Sequence, residues 1–174
     1  MTEITTRERI RRHVERTPGV HFNELVRALD LAPGQVQHHL RRLVGEELAS
    51  ASLYGRTHYY PADVDPWERG ALALLRRETA RAIVRTILAD GPIDPASVAD
   101  RVGVARSTLE WHLDRLTDLD VIDKRYDDRG RVTLAVVRPR ETARLLATVD
   151  PSLVDRLVDR FDSLLDDVLV GERG

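Results

Sequence analysis

Apolar residues recur first at helical spacing and then in short alternating runs, and the whole cycle happens twice along the chain. Ile10 and Val14 mark a first helix, capped by Thr5 or Thr6 and stopped after Arg16 by Thr17-Pro18-Gly19. Residues 20–22 read as a short extended piece, and Asn23 is expected to cap a second helix ending near Leu29. Asp30-Leu31-Ala32 leads into a third helix over 33–45, whose Val36, Leu40, Leu43 and Val44 form one inward stripe. Two β-like runs, 48–51 and 57–60, flank Leu53-Tyr54-Gly55-Arg56, where glycine supplies the turn. Residues 61–66, rich in Pro and Asp, form a connector.

The second cycle keeps the register of the first. His39-Leu40 and His112-Leu113 stand 73 positions apart. At that offset Ile10 meets Ile83, Val14 meets Ile87, Val36 meets Leu109 and Leu43 meets Leu116. One gapless register that keeps these positions apolar predicts two copies of one module. Residues 67–90 are expected to hold a connecting helix and then the first helix of the second copy. Asp94-Pro95 is a cap with proline at the first helical position, and Ser107-Thr108-Leu109-Glu110 fits a capping box opening the counterpart of 33–45. Asp127-Asp128-Arg129-Gly130 is a hairpin signal between 121–126 and 131–137. A short helix follows over 140–148, and a longer one over 151–170.

Helix, tight turn, helix and hairpin is the order of a winged helix-turn-helix. The expected fold is therefore mainly α with small β-hairpin wings: two tandem winged helix-turn-helix modules plus a C-terminal helix. The expected division is a first module over 1–61, a connecting segment over 62–77, a second module over 78–138 and C-terminal helices over 139–174. In the last helix Val154, Leu157, Phe161, Leu164 and Val168 alternate steps of three and four, the spacing of a coiled-coil seam. That stripe is expected to pack on a second copy and make a homodimer.

Composition narrows the chemistry. The chain of 174 residues has no cysteine, which removes disulfides, thiolate metal sites and cysteine catalysis together. No run approaches a membrane span and no signal peptide is visible, so a cytoplasmic protein is expected. The net charge of −2 is unusual for a protein that neutralises phosphates, but its distribution is uneven. Residues 5–61 carry nine arginines against six carboxylates, whereas 150–174 carry seven carboxylates against three arginines. No nucleophile elbow, Gly-rich phosphate loop or HExxH helix occurs, so neither an enzyme, a metal site nor a cofactor is expected.

The outer face of 33–45 offers Gln35, Gln37, His38, Arg41 and Arg42, side chains able to bond base edges or phosphates, with Arg56 on the wing. Their second-module counterparts and neighbours are Arg106, Ser107, Thr108, Trp111 and Arg115, with Arg129 and Arg131 on the second wing. His39 and His112 lie nearer the packed face and are read as hydrogen-bonded packing histidines. Trp111 is exposed by this reading, which suits contact with DNA, a partner or a wing. Two substitutions across the register, Gln37 to Glu110 and Arg41 to Asp114, place carboxylates on the second copy's groove face and make the first copy the expected principal reader.

The stretch from Ala105 to Leu116, and PGQVQHHLRRL before it, resembles prokaryotic winged helix-turn-helix regulators of the ArsR/MarR-like type, in particular tandem-module archaeal ones. The resemblance implies a dimeric transcription regulator acting on double-stranded DNA. Metal-sensing members of that family commonly use cysteine thiolates, which this chain lacks. The competing expectation is a protein-interaction scaffold, since tandem winged helices also occur in condensin accessory subunits.

Overall fold

The computed structural model describes residues 4–152, so the expected seam of Val154, Leu157, Phe161, Leu164 and Val168 lies outside the described residues. The first copy comprises α1 (Thr6–Arg16), β1 (Val20–His21), α2 (Phe22–Leu29), α3 (Pro33–Leu43), β2 (Leu48–Leu53) and β3 (Arg56–Pro61). Then come α4 (Pro66–Leu75), α5 (Glu78–Asp90), α6 (Pro95–Val102), α7 (Arg106–Asp118), β4 (Ile122–Tyr126), β5 (Val132–Val136) and α8 (Pro139–Val149). The sequence offset holds in three dimensions. Moving α2 along by 73 residues gives the bounds of α6, and moving Pro33 gives Arg106, the first residue of α7.

Local chemistry explains the boundaries. Thr5 caps α1 by accepting from the Glu8 amide, and Asp94 caps α6 by accepting from the Ser97 amide, with Pro95 at the first helical position. Two expected caps are corrected. α2 starts at Phe22 with His21 at its cap and no side-chain bond, so Asn23 lies within the helix. α7 starts at Arg106 behind Ala105, again with no side-chain cap, so Ser107 and Glu110 do not form a capping box. In both cases a residue one or two places earlier already has extended backbone and occupies the cap position, leaving the polar side chain for another use.

β1, β3 and β2 form an antiparallel sheet in that order, and β4 and β5 form a separate antiparallel hairpin. Leu53 pairs with Arg56, so the first wing turns on Tyr54 and Gly55 alone, at φ 50° and 77°. Two successive left-handed residues make the tight turn whose twist matches a hairpin.

Two apolar clusters hold the chain. Ile10, Val14, Val20, Leu25, Val36, Leu40, Leu43 and Leu48 form the smaller one, entirely within the first copy. The larger gathers α4, α5, the second copy and α8, and also takes Tyr60 from β3. Each fully buried Leu or Ile contributes about 1.5–3 kcal/mol relative to exposure. α4 is the joint between them: Gly70, Ala71, Leu72, Ala73, Leu74 and Leu75 are all buried. A Cβ at Gly70 would stand 3.0 Å from the Leu119 side chain at the end of α7, so a larger residue there requires Leu119 to shift. Tyr60 donates to the Arg69 carbonyl at 2.8 Å, the Trp67 indole donates to the Asp120 carbonyl at 3.4 Å, and Arg76 pairs with Glu24. Among the described residues no helix is long and apolar enough to cross a membrane.

Candidate nucleic-acid interface

Burying Val36, Leu40 and Leu43 turns the opposite side of α3 outward, and Gln35, Gln37, His38, Arg41 and Arg42 are all exposed there. These five do not share one surface. Gln37 and Arg41, one helical turn apart, line an open groove of about 1120 Å³ bounded by α2 on one side and the first wing on the other. Arg56 and Thr57 project into it from the wing, and Asn23 and Arg27 from α2. Gln35, His38 and Arg42 are not among the groove's lining residues; they occupy the exposed shoulder of α3.

Asn23 and Arg27 are groove residues that the sequence does not mark as such, because Asn23 reads there as a cap. The signal that could have found them is α2's own pattern: with Leu25 buried, Asn23 and Arg27 are exposed and one turn apart.

Ion pairing sets this groove apart from the outer side of α1. There Arg7 contacts Glu46 and Glu47 at 3.2 and 2.6 Å, and Arg11 and Arg12 contact Glu8 at 2.7 and 2.6 Å, while Arg9 and Arg16, like Arg42 of α3, form no ion pair among the described residues. Glu8, between Arg11 and Arg12, is held down at about 2. Arg27, Arg41 and Arg56 form no ion pair among the described residues, and no carboxylate lines the groove. Three unpaired guanidiniums beside amide and hydroxyl groups make a surface for phosphates and base edges.

The equivalent face of α7 carries different chemistry. Glu110 and Asp114 stand where Gln37 and Arg41 stand on α3, and Lys124 of β4 reaches both, at 3.2 and 3.8 Å. Glu110 is thus half of a cross-groove ion pair. On the second wing Asp127 accepts from the backbone amides of Arg129 and Arg131 and from the Arg131 guanidinium at 2.6 Å. Those bonds hold the Asp127 carboxyl below its usual range. Arg131 is therefore engaged within its own turn, while Arg106, Ser107, Thr108 and Arg129 are exposed.

Trp111 is 41% exposed, and two guanidiniums link it to Tyr54 on the wing of the first copy. Arg115 lies over the Trp111 ring at 3.4 Å and 5.0 Å from the Tyr54 ring centroid. Arg77, between α4 and α5, stands 5.6 Å from Tyr54 and 5.7 Å from Trp111. Contacts of this kind tie a guanidinium to ring faces without a carboxylate.

The histidines divide as well. His112 is buried with its ring edge-on to Trp111, but its Nδ1 has no hydrogen-bond partner among the described residues, so the expected hydrogen bond to that nitrogen is absent. Burial, then Arg77 and Arg115, push its pKa down. His39 is only half-buried, and burial and His38 lower its pKa. His58, which the sequence does not single out, is buried on β3 with Nδ1 2.7 Å from the Gly19 carbonyl. Among the described residues no three His, Asp or Glu side chains gather into a cation site.

Residues 4–72 match the family described as an N-terminal HTH domain, and residues 76–123 match a winged helix-turn-helix DNA-binding family. No curated protein matches the chain. Among solved structures, RV1404 from Mycobacterium tuberculosis is 19% identical, over 62% of this chain and 82% of that one, at a TM-score of 0.41. The transcriptional regulator Tm0710 from Thermotoga maritima is 20% identical, over 62% and 84%, at 0.39. ScpB from Mycobacterium tuberculosis is 17% identical, over 83% and 98%, at 0.32. These are distant likenesses and do not choose between DNA and protein partners. Two matched helix-turn-helix domains in succession, each module completed by a hairpin wing, make this chain a tandem winged helix-turn-helix protein.

Proposed function

We propose that the chain is a cytoplasmic, non-enzymatic transcription regulator that binds double-stranded DNA sequence-specifically through its first module. One observation carries the reading: among the described residues, the groove between α2, α3 and the first wing holds Arg27, Arg41 and Arg56 without an ion pair and is lined by no carboxylate. In this reading α3 enters the major groove, with Gln37 and Arg41 at base edges and Arg56 and Arg27 on the flanking backbone. The second module assists or mediates assembly, since its corresponding face is closed by Lys124 with Glu110 and Asp114.

A salt-series binding titration on promoter fragments tests this reading. Affinity that falls log-linearly with salt and survives competition by random duplex supports it. Retention of protein partners with no duplex binding at low salt would instead make the chain a scaffold.

The reading includes a homodimer joined by the 151–170 segment, which would give the operator two-fold symmetry. Its support is the three-four spacing of Val154, Leu157, Phe161, Leu164 and Val168. Leu157→Asp with Phe161→Asp is expected to sediment as a monomer and bind the operator more weakly. A double variant that remains dimeric sinks this part of the proposal.

A further inference from the structure

Tyr54 does not belong to the groove, yet it is the residue on which the groove's wing turns. Its backbone lies in the left-handed region at φ 50°, where a bulky side chain is a rare outlier and Asn or Gly makes the same turn freely. What holds it there comes from outside its own module. The ring rests against Arg115 and Arg77, and Trp111 lies beneath Arg115. In the repeat register Trp111 and Arg115 are the counterparts of His38 and Arg42, the outward positions of α3. On α3 those positions face solvent; on α7 Arg115 is half-buried, stacked on Trp111 and reaching Tyr54 of the wing. The Arg115 Nε and the His112 Nδ1 beside it are both buried without a partner among the described residues.

We infer that the outward face of α7 serves as a seat for the first module's wing, and that Tyr54, clamped there, is a positioning residue for Arg56. The two residues after Tyr54, Gly55 and Arg56, line the groove, and Arg56 closes the turn by pairing with Leu53. Fixing one side of a two-residue turn fixes the other, so the seat preorganises Arg56 and removes the entropy of ordering the wing when the duplex arrives. The second recognition helix thus contributes to binding without touching DNA. This inference rests on the reading that the first-module groove meets duplex.

The test has two arms. In the free full-length chain labelled with 5-fluorotryptophan, Tyr54→Gly keeps a turn-compatible backbone and removes the ring. The Trp111 fluorine resonance is expected to move, Tyr54→Phe to restore it, and Trp67, stacked under Arg138, to stay as an internal control. A Trp111 resonance indifferent to Tyr54→Gly would mean that the seat is empty in solution and overturns the inference. The second arm measures binding to a labelled duplex selected from random sequence. Arg56→Ala is expected to weaken binding several-fold and to lower the salt slope by about one. Tyr54→Gly is expected to lower the same slope, Tyr54→Phe to recover it, and the Tyr54→Gly, Arg56→Ala double variant to match Arg56→Ala alone. Additive losses would show that Tyr54 acts independently of Arg56 and also overturn the inference. A wild-type chain that binds no duplex removes the groove reading and Arg56's role with it, while the fluorine arm still decides whether the seat exists.

Discussion

α3 and α7 are the same helix inside and different helices outside. Val36, Leu40 and Leu43 on one, and Leu109, Leu113 and Leu116 on the other, occupy matching positions and are all buried. The outer faces diverge in charge and in cover. α3 presents Gln37 and Arg41 to an open groove, while α7 presents Glu110 and Asp114 to Lys124 and extends Arg115, stacked on Trp111, to its neighbour's wing. The fold demands only the apolar stripe. Chemistry on the remaining face is free to vary, which is what lets one scaffold carry the proposed reader and the proposed seat in the same chain.

The largest expected effect comes from giving α3 the groove face of α7. Gln37→Glu with Arg41→Asp removes a donor and a cation and adds two carboxylates. Binding is expected to weaken by about 2–6 kcal/mol, since each base-reading side chain removed costs about 1–3 kcal/mol. In the same salt-series titration Arg41→Ala should cost more than Arg115→Ala. An equal or larger loss from Arg115→Ala would mean that the second module reads the DNA.

The common interior is tested by truncation. Leu40→Ala and Leu113→Ala each remove a nearly fully buried side chain and are expected to lower unfolding free energy by about 2–5 kcal/mol in denaturant melts. If one is nearly silent, the two modules do not share a packing plan.

A smaller change is expected in the reverse exchange. Glu110→Gln with Asp114→Arg releases Lys124 and gives α7 the charge pattern of α3. Because Arg115 stays engaged between Trp111 and Tyr54, the gain in duplex affinity is expected to stay at or below about 1 kcal/mol, read by anisotropy at low salt. A gain comparable to the loss in the α3 exchange would show that charge alone, without the wing's contact, separates the two helices.

Acid separates the copies most gently. His58 has a pKa lowered from 6.5, first by burial, and the Gly19 carbonyl opposes that shift only in part. His13, His21 and His112 are lowered as well, again mainly by burial. A group whose folded pKa lies below its unfolded value takes up protons on unfolding. Its stabilisation is thus fully present above pH 6.5 and lost as pH falls through that value toward the folded pKa. Tm is expected to be flat above this point and to decline below it. Three of these histidines belong to the first copy, so hydrogen exchange should register the decline first in α1 and the β1–β3–β2 sheet. His58→Gln should flatten the curve; an unchanged slope would mean that His58 does not titrate in this window.

Much of the architecture is legible in the sequence because it depends on local, periodic information. The 73-residue register, the stop at Pro18-Gly19, the Asp94-Pro95 start and the second hairpin all follow from side-chain volume, φ preference and apolar spacing. Arg41 and Gln37 are legible as surface groups for the same reason. Asn23 and Ser107 mislead because a cap requires both a suitable side chain and extended backbone at the right residue. Sequence displays only the first of these.

What only the tertiary structure decided is which exposed groups meet. Lys124 lies 14 residues from Glu110, and Tyr54 lies 61 residues from Arg115. Each pair joins residues of different elements, across which no helical or strand period runs, so no pattern along the chain announces either contact. The first arises where β4 packs beside α7 within the second module, and the second from the way α4 joins the modules, through a helix buried along most of its length and a glycine that admits Leu119. By itself the sequence determined two modules, their elements and the asymmetry of charge between α3 and α7, because each is a property of residues a few positions apart. The free groove on one module and the occupied face on the other were settled by packing, where residues remote in the chain compete for the same space.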